Sequence, residues 1–143
     1  PVAIHTRAAW ETMEEVIGAE YAAAKARGER LRGVFHAYSE DADTYRRLKA
    51  LTEGNFLFGI GGVVTYKKSV VAQAVPEMAL TDLVLETDCP YLTPVPHRGT
   101  RNESAYVRHT AEKVAELKGL TLEEVAAQTT RNAEMLFALQ NDK

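Results

Sequence analysis

The sequence predicts an α/β fold built from parallel βα units, and two observations predict it. Four short apolar runs alternate with stretches in which apolar residues recur every three or four positions, as strands alternate with helices. Glycines follow three of the helical stretches, at Gly28, Gly54 and Gly119, where a left-handed residue commonly ends a helix. At 143 residues the chain is expected to form one domain with its own core.

The four strands are predicted from the apolar runs. In chain order they are Val2–His5, Leu31–Phe35 with His36 at its end, Phe56–Ile60 and Leu83–Leu85. The first three helices are predicted between them, across residues 8 to 27, 41 to 53 and 70 to 75.

The last part of the chain is predicted to be helical. One helix runs from Tyr106 to Gly119, and Thr121-Leu122-Glu123-Glu124 has the capping-box pattern that opens another. Thr130 is expected to cap a final helix whose apolar face is formed by Met135, Leu136 and Leu139. The whole chain is therefore expected to contain four βα units without an internal domain boundary.

Composition limits the classes of function. The net charge of −3 argues against a broad nucleic-acid-binding face, but it leaves room for a few local arginines. The single cysteine, Cys89, excludes an internal disulfide and is typical of a reducing compartment. No apolar run approaches the roughly 18 residues that span a membrane. We therefore expect a cytoplasmic protein without a membrane partner. Because it opens at Pro1 inside an apparent strand, we also expect the interior of a longer protein.

Three of the predicted strands end in a residue that can bind a metal. His5 closes the first strand, His36 closes the second, and Asp88 follows the fourth through Glu86-Thr87. The carboxyl ends of parallel strands meet at one edge, so these side chains are expected to lie together. Two imidazoles and a carboxylate suit Zn²⁺, Mn²⁺ or Mg²⁺. The alternative is that each is a hydrogen-bonded structural residue.

Five segments resemble, in order, the successive motifs of the TatD family of metal-dependent deoxyribonucleases. They read PVAIHTRAA, GVFHAYS, GIGGVVTYK, ETDCPYLTPVPHRGTRNESAYV and QTTRNAEMLF. The resemblance covers essentially the whole chain. It implies the carboxyl-terminal half, about four βα units, of a TIM-type (β/α)₈ barrel of the amidohydrolase-like superfamily, with DNA as the substrate.

The resemblance also implies roles for particular residues. His5, His36 and Asp88 match metal ligands of the family, with one or two divalent ions (Mg, Mn or Zn) in a complete site. Asp88 would also act in catalysis by accepting or orienting the proton of the attacking water.

A second set of residues is expected to bind substrate: Arg7, Glu86, His97, Arg98 and Arg101. The arginines suit bidentate contacts with phosphate. For Glu86 the alternative is a structural partner of a nearby His or Arg, and for His97 it is a loop anchor. Gly61-Gly62 would let backbone approach the site, and Cys89 is expected to be a small packed residue.

The sequence also departs from the family pattern. Ala37-Tyr38-Ser39-Glu40 stands where the family has Cys-Phe-Ser-Gly, and the first-strand His-x-His and fourth-strand Glu have no counterpart. A half barrel has two open strand edges, which a missing amino-terminal half or a second copy of the chain would cover. Three hypotheses follow: a metal-dependent deoxyribonuclease, an inactive half barrel that dimerises or binds partners, and a related hydrolase with a non-DNA substrate.

Overall fold

The computed structural model describes residues 1–139 and contains a parallel sheet of four strands in the order β1-β2-β3-β4. The strands are β1 Val2–His5, β2 Gly33–His36, β3 Phe56–Ile60 and β4 Leu83–Leu85. The helices are α1 Trp10–Ala26, α2 Ala42–Leu51, α3 Val70–Ala74, α4 Val107–Lys118 and α5 Leu122–Phe137. Short 3₁₀ turns occupy Gly62–Thr65, Val75–Glu77, Leu80–Asp82 and Ser104–Tyr106. The predicted α/β fold with parallel strands is confirmed.

One face of the sheet carries the main core. Phe35, Phe58 and Leu83 are fully buried there, in one cluster with residues from all five helices. The register places Phe35 opposite Phe58 and Phe58 opposite Leu83, so these side chains form a continuous row across three strands. Alternate residues point to the other face.

The other face is covered in part by α5. Leu136 packs with Val34 and Val84 in a second, smaller buried cluster, and Leu57 and Ala133 pack against it. The carboxyl end of the same face carries His5, His36 and Glu86.

Three helix ends are stabilised by caps, of which the Thr121 capping box and the Gly119 stop were predicted. Asp41 caps α2 by accepting the Thr44 backbone N–H at 2.8 Å. Thr121 and Glu124 form the expected capping box at the start of α5. Gly119 ends α4 with a φ of 64°, a left-handed conformation that glycine adopts without steric cost.

Two predictions about the last helix are wrong. Thr130 caps nothing, because α5 continues unbroken through it and the segment contains no glycine or proline. Met135 and Leu139 are 67% and 60% exposed, and of the predicted face only Leu136 is buried. The buried stripe instead consists of Val125, Thr129, Asn132 and Leu136. Its helical spacing was hidden because two of its members are polar.

The second strand starts later than predicted, at Gly33 rather than Leu31. A Cβ at position 33 would lie 2.2 Å from the carbonyl oxygen of Val2 and 2.7 Å from the ring of Phe56. The glycine therefore allows the strand to begin in close contact with its neighbours. No helix among residues 1–139 is long and apolar enough to cross a membrane.

Candidate metal and phosphate site

The two predicted strand-end histidines are neighbours. His5 is opposite His36 in the parallel register, and their ring centroids lie 5.5 Å apart. Ile4 and Phe35, the residues before them, contact the main core. The histidines therefore point to the opposite face of the sheet, at its carboxyl end.

Glu86 directly follows β4, and its side chain contacts the end of β2. Its Oε2 lies 2.9 Å from Nδ1 of His36, and its Oε1 accepts the backbone N–H of Ala37 at 2.6 Å. Both carboxylate oxygens are thus engaged by β2 and the residue after it. These contacts favour the structural alternative for Glu86, a partner that orients a histidine, over direct substrate binding.

Gly59 makes this arrangement possible. A Cβ at position 59 would lie 2.2 Å from Oε2 of Glu86 and 2.7 Å from its Cδ. Gly61 is less critical, since its nearest neighbour would be Cγ of Glu86 at 3.8 Å. The close approach at Gly62 involves the backbone of the loop after β4, where the carbonyl oxygen of Leu92 would lie 2.4 Å from a Cβ.

The contact of His36 Nδ1 with the Glu86 carboxylate leaves Nε2 of His36 facing the rim, by which we mean the carboxyl end of the sheet. A neutral imidazole that donates its Nδ1–H to the carboxylate has its lone pair at Nε2. That nitrogen lies 3.4 Å from Oδ1 of Asp88. Two acceptors that face each other at this distance need a cation or a proton between them. In metal sites, a histidine that binds the metal through one ring nitrogen usually donates its other ring N–H to a carboxylate that orients it. The residues therefore fit a divalent cation.

The backbone at the rim is held in an uncommon conformation. Ala37 and Asp88 both have a φ of 53°, in the left-handed region that costs non-glycine residues energy. Hydrogen bonds maintain it: Tyr38 N–H donates to the Gly59 carbonyl at 3.0 Å, and Tyr91 N–H donates to the Asp88 carbonyl at 2.9 Å. One of these two residues directly follows His36, and the other is Asp88 itself.

Among residues 1–139, no three His, Cys, Asp or Glu side chains converge closely enough to hold a metal ion by themselves. His5, His36 and Asp88 lie along one rim, but they do not form a closed coordination shell. Their assignment as ligands stays a prediction, and so does the catalytic role of Asp88.

The predicted substrate residues are spread around this rim. Arg7 follows β1 and is exposed, as is Arg101 in the loop after β4. The guanidinium of Arg98 lies over the ring of Tyr66, 4.2 Å from its centroid. The ring of His97 stacks on Tyr106 at 4.2 Å with an interplanar angle of 6°, which favours the alternative of a loop anchor.

Cys89 differs from its prediction as a packed residue, since it is exposed. Hydrogen bonding to Thr87, then to Ser104, lowers the pKa of its thiol, and the positive charge of Arg101 adds to this effect.

Sequence reasoning missed the residue that organises this loop. Asn102 is only 3% exposed, and its Nδ2 donates to the carbonyl oxygens of Thr87 and Tyr91, both at 2.6 Å. Its Oδ1 accepts the N–H of Glu103 at 2.9 Å. The position of this Asn between two charged residues suggested an exposed loop, and only the fold shows that it joins the two ends of the Thr87–Tyr91 turn.

Comparisons with known proteins show the family of this sequence. The sequence model of the family described as TatD related DNase matches residues 1–138. The chain is 39% identical over 140 residues to the uncharacterized metal-dependent hydrolase YabD of Bacillus subtilis, which covers 97% of the chain and 51% of YabD. It is 35% identical over 140 residues to the uncharacterized metal-dependent hydrolase TatD of Mycobacterium tuberculosis, covering 97% of the chain and 49% of that relative.

Solved structures show the same fold. YjjV, a TatD homologue from Escherichia coli K12, superposes with a TM-score of 0.81 at 23% identity, over 95% of this chain and 49% of YjjV. The chain thus spans about half the length of the relatives that it matches. On the family match across residues 1–138 and the similarity to these relatives, the chain belongs to the TatD family.

Proposed function

We propose that this chain contributes the His36–Asp88 rim of a metal-dependent hydrolase site that cleaves phosphodiester bonds of DNA. The observation that supports the proposal is the position of His36, with Nδ1 held by Glu86 and Nε2 facing Asp88 at 3.4 Å. This is the chemistry of a metal-binding imidazole with an orienting carboxylate behind it.

His36 and Asp88 would hold the cation, with His5 beside them. When bound, a divalent ion such as Mg²⁺, Mn²⁺ or Zn²⁺ supplies Lewis acidity, which makes a water more acidic and offsets negative charge on a phosphodiester oxygen. One or two ions would complete the site, and the residues present do not distinguish among the three metals.

The chain's own residues then have separate tasks. The carboxylate of Asp88 accepts or orients the proton of the attacking water. Glu86 keeps His36 in one tautomer and one orientation. Arg98 and Arg101, on the loop after β4, and Arg7, after β1, receive the phosphate through bidentate hydrogen bonds.

DNA is proposed as the substrate because the matched family is described as TatD related DNase. The relatives themselves are named only as metal-dependent hydrolases. A different ester or amide substrate is the second candidate, and the net charge of −3 favours it to some extent because DNA-binding faces are usually basic.

A partner is also part of the proposal. Both β1 and β4 are edges of the sheet. Beside β4 lies a largely apolar groove of about 550 Å³, whose apolar lining is Leu85, Val107, Ala111, Leu122, Ala126 and Ala133. We assign this groove to an amino-terminal half barrel of four βα units, because the chain spans about half of its relatives.

A cytoplasmic location is also proposed. The exposed Cys89 thiol is compatible with it.

The test is a hybrid in which the first half of YabD precedes this chain. The hybrid is incubated with a labelled DNA oligonucleotide and Mg²⁺, Mn²⁺, Zn²⁺ or EDTA. We expect metal-dependent cleavage that is lost in Asp88→Asn and kept in Asp43→Asn, a control on α2 whose side chain is 78% exposed. A folded hybrid that binds metal but leaves DNA intact would exclude the nuclease and favour another substrate.

The assembly is tested on the chain alone by light scattering and intact mass. A monomer near the sequence mass of 15.8 kDa that associates only when the YabD half is added supports the assigned occupant. A stable homodimer of the isolated chain would show that a second copy fills the groove instead. In that case the inactive, dimerising half barrel becomes the better description.

A further inference from the structure

Tyr91 combines a free ring with a fixed backbone. Tyr91 is 71% exposed, the highest value among the exposed large hydrophobic residues of the described chain. Yet its N–H donates to the Asp88 carbonyl at 2.9 Å, and its own carbonyl accepts from the buried Asn102 at 2.6 Å. The exposed side chain is thus presented from a turn whose backbone is held on both sides.

The anchoring extends through the whole loop. Asn102 N–H donates to the Pro90 carbonyl at 3.1 Å, and the buried Thr93 hydroxyl donates to the Thr100 carbonyl at 2.6 Å. The hydroxyl of Tyr66 donates to the Thr93 carbonyl at 3.0 Å. The Tyr91 ring therefore projects from a frame that is preorganised before any ligand arrives, which reduces the entropy lost on binding.

The turn also limits the distance between the backbones of Tyr91 and Asp88. The Tyr91–Asp88 hydrogen bond closes a four-residue turn, in which the first and last Cα atoms lie within about 7 Å of each other. Successive nucleotides of a DNA strand are about 3.4 Å apart along the helix axis. A strand whose phosphate reaches Asp88 would thus pass the backbone of Tyr91 within about one or two nucleotides.

We propose that Tyr91 is a specificity-determining residue that stacks on an unpaired base next to the phosphate at the Asp88 rim. This rests on the proposed DNA function. Tyr91 shares the loop after β4 with Arg98 and Arg101. Aromatic rings together with arginines are the groups by which proteins bind single strands without reading their sequence. A base inside a duplex has both faces covered by its neighbours, so only an unpaired nucleotide offers a face to Tyr91.

The test measures binding, not cleavage. Fluorescence anisotropy of the 143-residue chain is recorded in EDTA with two labelled ten-nucleotide strands, oligothymidylate and an abasic strand of the same length. Stacking on one base is lost on substitution by alanine, so Tyr91→Ala is expected to weaken oligothymidylate binding about tenfold. Binding of the abasic strand should stay unchanged, and Tyr91→Phe should stay within about twofold of the wild type because the ring is kept.

Phe137→Ala provides the matched control, since it removes an exposed aromatic ring from the last turn of α5. It is expected to bind both strands as the wild type does. Equal binding of the two strands by the wild type would overturn the proposal, and so would an equal loss for both strands in Tyr91→Ala. The second result would instead mean that the ring supports the loop or an assembly contact.

The outcome is separable from the nuclease proposal. Because EDTA prevents metal-dependent cleavage, a ring-dependent preference for bases is measurable even if the hybrid enzyme never hydrolyses DNA. Conversely, cleavage by a hybrid whose binding ignores Tyr91 would support the nuclease and contradict the stacking role.

Discussion

The carboxylate of Glu86 packs directly against Gly59 at the carboxyl end of the sheet, where a Cβ on Gly59 would lie 2.2 Å from Oε2 of Glu86. That oxygen is the one that contacts Nδ1 of His36. A residue without a side chain on β3 therefore allows a carboxylate after β4 to reach across to a histidine on β2. The orientation of a predicted metal ligand depends on a neighbour that has no functional group.

Gly59→Ala is expected to displace Glu86 from His36. The methyl group forces the carboxylate to move, so we expect metal affinity to fall by about 10- to 100-fold, as for loss of an orienting partner. Overpacking should also reduce the free energy of unfolding by about 1–3 kcal/mol. Isothermal titration calorimetry of Zn²⁺ or Mn²⁺ into the YabD hybrid that carries this change, and urea unfolding of the chain itself, measure the two effects.

Gly61→Ala is the matched control for that experiment. Its Cβ would meet Cγ of Glu86 at 3.8 Å, an ordinary van der Waals distance, and the backbone φ of −106° suits alanine. It should bind metal as the wild type does. If both alanine variants lose metal affinity equally, the clash with Glu86 is not the cause.

Glu86→Gln tests whether a carboxylate is needed behind His36. One amide oxygen cannot accept both the Ala37 N–H and the Nδ1–H of His36 from the positions that the two carboxylate oxygens occupy. We expect metal affinity to fall by about 10- to 100-fold, because the tautomer and orientation of His36 are no longer fixed. Calorimetric titration of metal into the variant gives the change directly.

A second Glu–His pair supplies the control. Glu112 lies 3.1 Å from Nδ1 of His109 on the exposed side of α4. Glu112→Gln removes the same type of contact away from the strand ends and should leave metal affinity unchanged. A similar loss in both variants would point to a general effect of charge.

The strands and the three strand-end residues followed from sequence because apolar runs and parallel topology determine where strands end. The partners of those residues did not follow. Glu86 has two plausible roles in the sequence, and only the approach of β2 and β4 across Gly59 favours one of them. Asn102 was missed because hydrogen bonds to the carbonyls of Thr87 and Tyr91 leave no periodic pattern. Such contacts join residues that are more than ten positions apart in sequence, so they can be identified only from the folded structure of the loop.

Asn102→Asp should destabilise the loop after β4, although the Asp side chain has nearly the same size and shape as Asn. A carboxylate cannot donate to the carbonyl oxygens of Thr87 and Tyr91, and it would face both at the 2.6 Å now spanned by hydrogen bonds. We expect the free energy of unfolding to fall by about 2–3 kcal/mol, since buried acceptors are left unpaired. Urea unfolding followed by circular dichroism measures it. An unchanged unfolding midpoint would mean that the loop does not depend on this side chain.

The acid dependence of stability should include a contribution from Asp41. Its hydrogen bonds with Thr44, backbone first, lower the pKa of the carboxyl below its ordinary value near 4. A depressed folded-state pKa gives stability that is present above the unfolded-state pKa and lost as the pH falls through the folded-state pKa. Asp41→Asn keeps a capping oxygen but does not titrate. We therefore expect the wild type to exceed Asp41→Asn in stability at pH 7, and this difference to shrink as the pH falls below about 4. Urea midpoints measured between pH 2.5 and 7 test this, and a difference that does not vary with pH would exclude a contribution from the charge.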